Sequence, residues 1–366
     1  MLTRFIAAEL AVVLGLVAVA CTDDDASSTM PANSPSDSSW RMILPLGSGG
    51  HPDEPGSNDS PNWTPGKLPV TMQPILAFNG DLWMISQTNA WSSSNGVDWL
   101  HYTKTDTGSR IWDARLFFKG RLWSFGGMAY SQRAPANDIW SSTNETTWRN
   151  EGPADWSPRQ QHTVIVYRDK LWLFGGADQV KTDFTMVHTL NDVWSSDDGL
   201  HWTQVTANAP WSPRDGTRAV VLNDAMYMVG AEGEPDVWRF DGTNSTQAAT
   251  SVPCGPRFGY AANAFDGRLW VLGGYRNDPK DALNDVWYTR DGVTWTEQTE
   301  HAPWGPRHPL TVVYKDALWI YSGKHTGAND CSGRIHGRPA ENGIPDGDLA
   351  SGGTFSFLRG GGDTKG

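Results

Sequence analysis

Residues 156–202 read WSPRQQHTVIVYRDKLWLFGGADQVKTDFTMVHTLNDVWSSDDGLHW, and this stretch decides the fold. An alternating apolar run from Thr163 to Tyr167 meets a polar turn at Arg168-Asp169. A second run, Leu171-Trp172-Leu173-Phe174, ends in Gly175-Gly176. A long polar loop then leads to Asn191-Asp192-Val193-Trp194, a turn over residues 195–199, and a last segment opening at Trp202. Period-2 runs rich in Val, Trp, Phe and Leu, each bounded by Gly, Asp, Asn or Pro, predict four short antiparallel strands.

The unit recurs. Aligned on the paired glycines, the chain gives Phe125-Gly126-Gly127, Phe174-Gly175-Gly176, Val229-Gly230-Ala231, Leu272-Gly273-Gly274 and Tyr321-Ser322-Gly323, with an altered first copy at Ile85-Ser86-Gln87. An aromatic precedes each, at Trp83, Trp123, Trp172, Tyr227, Trp270 and Trp319. In an independent register, Trp91, Trp140, Trp194 and Trp287 are followed by Trp99, Trp148, Trp202 and Trp295. A four-strand repeat near 50 residues with paired glycines is the pattern of propeller blades.

On these motifs the chain resembles the kelch repeat proteins, over most of residues 40–360. The resemblance implies an all-β, six-bladed β-propeller of four-stranded blades. The turn Ser195-Ser196-Asp197-Asp198-Gly199-Leu200-His201-Trp202 is similar to the Asp-box of sialidase-type propellers, with Ser94, Thr143 and Arg290 standing where other copies would carry Asp197. The sixth unit lacks a fourth strand, and Trp40-Arg41-Met42-Ile43 repeats the pattern of Trp202-Thr203-Gln204-Val205, so the N-terminal segment is expected to close the ring. Residues 361–366 are read as a disordered tail.

Composition bounds the partners. Of 366 residues, 41 are acidic and 29 basic, a net charge of -12 that argues against nucleic acid. Residues 1–20 have the length and apolarity of an export signal. They end in Ala18-Val19-Ala20-Cys21, which resembles the lipobox of bacterial lipoproteins and implies lipidation of Cys21. Residues 21–39 are Asp-, Ser- and Pro-rich and read as a flexible tether. The expectation is a monomer anchored by its lipid to the cell envelope, facing the periplasm or the exterior.

If each inner strand starts at its Arg on a top face, the polar two-residue turns and Asp-box turns lie at the bottom, and the long loops share the top with the blade linkers. Loops on a rigid scaffold are where binding concentrates. Arg110, Arg159, Arg214, Arg257 and Arg307 recur at one position, with Val70 in the first unit. Arginine forks suit carboxylates and phosphates, so these residues are candidate anion ligands. The alternative is an inter-blade hydrogen-bonding element, with Asp113, Asp215, Glu232 and Glu234 as neutralising acids. Three positions on stand His162, Gln73, Asp113, Thr217, Tyr260 and Leu310, of which His162, Asp113 and Tyr260 are candidates for binding or acid–base work.

No cofactor is expected: His325, Cys331 and His336 match no standard zinc spacing, and no catalytic triad stands out. Once Cys21 is lipidated, Cys254 and Cys331 are the remaining cysteines, and a disulfide between them is expected. Two function classes follow. One is an anchored module that binds a protein or glycan through its top loops. The other is an enzyme resembling the periplasmic sialic-acid mutarotases, acting on an anionic sugar.

Overall fold

The computed structural model describes residues 40–43, 62–63, 75–86, 89–96, 98–103, 110–129, 133–180, 186–231, 233–276, 282–302, 306, 308–321 and 355–359. Among them every regular element is a β-strand. Five antiparallel blades are each drawn from one continuous stretch. Blade 1 holds Ile75–Phe78, Asp81–Ile85, Asn89–Ser93 and Leu100–Thr103, and blade 2 holds Ala114–Phe118, Arg121–Ala129, Ala134–Ser142 and Arg149–Pro153. Blade 3 holds Thr163–Tyr167, Lys170–Phe174, Val193–Ser196 and Thr203–Thr206. Blade 4 holds Arg218–Leu222, Ala225–Ala231, Glu234–Phe240 and Ser245–Ala249, and blade 5 holds Ala261–Phe265, Arg268–Tyr275, Ala282–Thr289 and Trp295–Thr299.

The remaining four-stranded sheet, blade 6, is assembled from both ends of the chain. Leu310–Tyr314, Ala317–Tyr321 and Phe355–Arg359 are completed by Trp40–Ile43, which pairs antiparallel with Phe355–Arg359. The inner strands follow one another in a ring, from Ile75–Phe78 round to Leu310–Tyr314 and back. Two short strands are added at blade margins: Asn62–Trp63 on the outer edge of blade 1, and Arg110–Ile111 beside Arg121–Ala129.

Each inner hairpin turns on two residues with positive φ, such as Arg168 (48°) and Asp169 (56°) in blade 3 or Lys315 (46°) and Asp316 (55°) in blade 6. This is the type I′ geometry, whose twist matches that of the flanking strands. Aromatics fill the wedges between blades. Phe118, Trp123 and Phe125 of blade 2 pack with Val164, Leu171, Leu173 and Trp202 of blade 3. Trp319 and Tyr314 of blade 6 pack with Leu82, Met84 and Trp99 of blade 1, so the seam across the closure is as apolar as the others.

The Asp-box turns lock this packing. In blade 3, Asp198 accepts the backbone N–H groups of Leu200 and His201 at 2.8 and 2.9 Å, and Ser196 Oγ accepts that of Gly199 at 2.8 Å. A Cβ on Gly199 would stand 3.1 Å from the Trp123 ring of blade 2. Asn95, Asn144 and Asp291 take the role of Asp198 in blades 1, 2 and 5, accepting the N–H groups of Asp98, Thr147 and Thr294 at 2.9, 2.8 and 2.8 Å. The acceptor is therefore the residue after the one singled out in the sequence: Ser94, Thr143 and Arg290 do not mark lost copies. Blade 2 departs elsewhere, placing Glu145 (φ 64°) where the others have glycine.

Candidate ligand-binding mouth

The repeated arginines sit beneath the top face. Arg159 is fully buried (0% exposed). Its Nη1 donates to Asp192 Oδ1 at 2.7 Å and to the Gly175 carbonyl at 3.0 Å, and its Nη2 donates to Asp192 Oδ2 at 2.8 Å and Ser157 Oγ at 3.0 Å. Arg214 forks onto Asp236 at 2.6 and 3.1 Å, and Arg257 onto Asp285 at 2.8 and 2.9 Å. Arg110 donates to Asp138. Each aspartate also accepts the indole N–H two residues on, from Trp140, Trp194, Trp238 and Trp287 at 2.8, 2.7, 2.7 and 2.9 Å.

These forks are thus occupied, tying the start of each inner strand to the third strand of its own blade. Their partners are Asp138, Asp192, Asp236 and Asp285, in place of the acids expected from the sequence. Arg307, Val70 and Glu232 lie outside the described residues.

Of the residues three positions on, His162 and Tyr260 brace neighbouring blades, while Asp113 and Thr217 bond within their own. His162 packs between blades 2 and 3: a Cβ on Gly126 would meet its Cε1 at 3.1 Å, and one on Gly176 would meet its Cβ at 2.8 Å. Burial, and then Arg159, push the His162 imidazole down to about 3. Tyr260 donates to the Val229 carbonyl of blade 4, and burial pushes its phenol up to about 12. Asp113 accepts from Arg115 Nε at 2.5 Å and Ser124 Oγ at 2.6 Å. Thr217 donates to the Gly230 carbonyl at 2.6 Å. Leu310 pairs with Tyr321 as Thr163 pairs with Phe174, so it stands one place further along than expected. Gln73 lies outside the described residues.

The mouth itself is bounded by residues between these two sets. Trp112 (φ 59°), Gln161 (φ 53°) and Gly216 (φ 63°) follow each other across blades 2, 3 and 4. Gln161 N–H donates to the Trp112 carbonyl, and Gly216 N–H to the Gln161 carbonyl, both at 3.0 Å. Gly259 continues this line in blade 5, where an added Cβ would lie 3.2 Å from the His308 ring of blade 6.

Just inside stands Arg218, the first residue of blade 4's inner strand. Its Nε donates to the Tyr260 carbonyl of blade 5 at 3.3 Å, and its charge helps press the His308 imidazole of blade 6 down to about 3, after burial. Burial holds the Arg218 guanidinium below the usual arginine range. It has no carboxylate partner among the described residues.

Arg218 was not among the sequence candidates because it is not repeated: Ala114, Thr163, Ala261 and Leu310 hold its position in other blades. The available signal was that break, one charge where the repeat keeps small or apolar residues. Cys254 is a free thiol, 3% exposed, in the slot that Trp156 and Trp211 fill in blades 3 and 4. Burial pushes it up to about 11. Cys331, the other half of the expected bridge, lies outside the described residues, as do His325, His336 and Cys21.

Fold and site define a β-propeller with a basic mouth on its loop-bearing face. The kelch motif matches residues 256–288, which cover Arg257 and the first three strands of blade 5 up to Tyr288. Among solved structures, the one titled "Structure of YjhT" is similar with a TM-score of 0.59 and 15% sequence identity, over 73% of this chain and 94% of that one. That likeness is one of fold. No curated protein matches in sequence.

Proposed function

We propose that the protein is an envelope-anchored binding module whose top mouth takes a carboxylate-bearing ligand, most simply an acidic sugar unit of a glycan. The observation that carries this reading is the guanidinium of Arg218, half-buried at the mouth, bonded to the Tyr260 carbonyl and with no carboxylate partner among the described residues. A half-buried cation without a counter-charge is partly stripped of water, and an arriving carboxylate would supply the missing partner by a bidentate, charge-assisted bond. The other arginines are poor candidates by the same logic, since an anion there would have to displace a bonded aspartate. Lipidation of Cys21, motivated by the Ala-Val-Ala-Cys ending, would hold the module at the membrane.

A second reading, an enzyme epimerising an anionic sugar, draws on His308, whose neutral imidazole beside Gly259 at the mouth could hydrogen-bond a bound ring. Calorimetry with sialic and uronic acids and their neutral counterparts tests the first reading. Acid-selective binding, weakened at least tenfold by Arg218→Met and by raised salt, is expected. Unchanged affinity in that variant would remove Arg218 as the anchor. Accelerated interconversion of sugar anomers, followed by NMR and lost in His308→Gln, would favour the enzyme.

A further inference from the structure

We infer that the protein stands on its turn-bearing bottom face, with that face towards the membrane and the mouth directed away from it. The inference rests on the lipid anchor proposed above, and its own ground is the polarity of the closing strand. In blade 6, Ala317 follows the type I′ turn at Lys315-Asp316, and Tyr321 lies at the opposite, top end. Phe355 pairs with Tyr321 and Arg359 with Ala317, so the third strand runs from top to bottom. Ile43 pairs with Phe355 and Trp40 with Leu358. Trp40–Ile43 therefore enters at the bottom and runs upward, as the outermost strand at the rim.

Residues 21–39 must leave the propeller from that bottom corner. Their 19 residues reach at most about 65 Å fully extended. Arg121–Ala129, nine residues long, runs for about 30 Å between the two faces. Passing the rim would use about half of that reach, so the shortest path keeps the bottom of blade 6 nearest the lipid. Turning the mouth to the membrane would stretch the tether past the whole rim. Partners would reach the mouth from the side away from the bilayer.

Two reporters on one blade test this. Val293, 57% exposed, lies in the bottom turn of blade 5, and Glu300, also exposed, follows the top end of that blade's outer strand. They are separated by about 23 Å along the chain. Val293→Cys and Glu300→Cys, each in a Cys331→Ser background that keeps the buried Cys254, would be labelled with a donor fluorophore. The full-length lipidated protein would then be bound to phosphatidylethanolamine–phosphatidylglycerol vesicles carrying a headgroup acceptor. Transfer at least twofold stronger from position 293 than from 300 is expected. Equal transfer, or stronger transfer from 300, overturns the orientation while leaving the anchor standing. Failure of both proteins to float with vesicles, with an unmodified Cys21 by mass spectrometry, overturns the anchor and the orientation with it.

Discussion

Removing the carboxylate beneath a buried arginine separates the scaffold arginines from the ligand-facing one. In Asp192→Ala, Arg159 loses two of its bonds, those of 2.7 and 2.8 Å, and keeps the Gly175 carbonyl and Ser157. Two charge-assisted bonds at roughly 1.5–3 kcal/mol each give about 3–6 kcal/mol. The indole N–H of Trp194 also loses its acceptor. Stripping one member from a buried ion pair costs about 3–5 kcal/mol by a separate argument, so a loss near 4 kcal/mol is expected, a large share of the roughly 5–15 kcal/mol that keeps a domain folded. Arg218→Met, by contrast, leaves no acid orphaned and gives up one 3.3 Å bond to the Tyr260 carbonyl, so its stability should change by under about 1 kcal/mol. Urea unfolding of both variants, with slopes checked for equality, measures the difference. A loss below about 1 kcal/mol for Asp192→Ala would refute the reasoning and return Arg159 to the list of available anion ligands.

Burial, and then Asp81, push the Glu145 carboxyl up to about 7. A raised folded value for an acid means the folded state holds the proton more tightly, so this group weighs against folding increasingly from about pH 4.5 to 7 and fully above that. Glu145→Gly also suits the positive φ, and should stabilise by about 1 kcal/mol at pH 8, with a smaller gain at pH 4.5; equal gains in melts at both pH values would exonerate the carboxyl. His162 has the opposite consequence. Its depressed value means the unfolded chain takes up a proton that the folded one refuses, so stability should fall from about pH 6.5 down towards 3, by up to about 1.4 kcal/mol per pH unit. His162→Gln should flatten that acid limb in urea titrations at pH 7 and 4.5, and an unchanged slope would contradict the buried neutral imidazole.

The scaffold was legible because it is periodic. Each blade restates the same wedge aromatic, glycine pair and turn, and Trp40–Ile43 could be matched to the gap in blade 6 by pattern alone. The arginine partners were hidden in plain view: Asp192 recurs two residues before Trp194 as Asp138, Asp236 and Asp285 recur before Trp140, Trp238 and Trp287. One Arg and one Asp per blade at fixed spacing is the signature of a pair, but the acids nearest in sequence were not the ones nearest in space. Arg218 and His308 had no such echo, and their meeting at the mouth depends on how blades 4, 5 and 6 converge. Cys254 had no echo either, since it occupies a packing slot that Trp156 and Trp211 fill in blades 3 and 4.

The sheet that joins the two ends of the chain also imposes an order on folding. Ile43 and Phe355 are about 310 residues apart, and closing so long a loop costs only about 1.6 kcal/mol more than closing one 50-residue blade. The delay it imposes is larger than the energy. Contacts this distant in sequence form late, and Trp40–Ile43 leaves the ribosome first yet finds its partner last. Until Phe355–Arg359 arrives, blades 1 to 5 form an open arc with a bare strand edge at one end and an unfilled aromatic seam at the other. Such edges recruit other chains, so nascent or C-terminally shortened forms should be the aggregation-prone ones, whatever the stability of the closed ring.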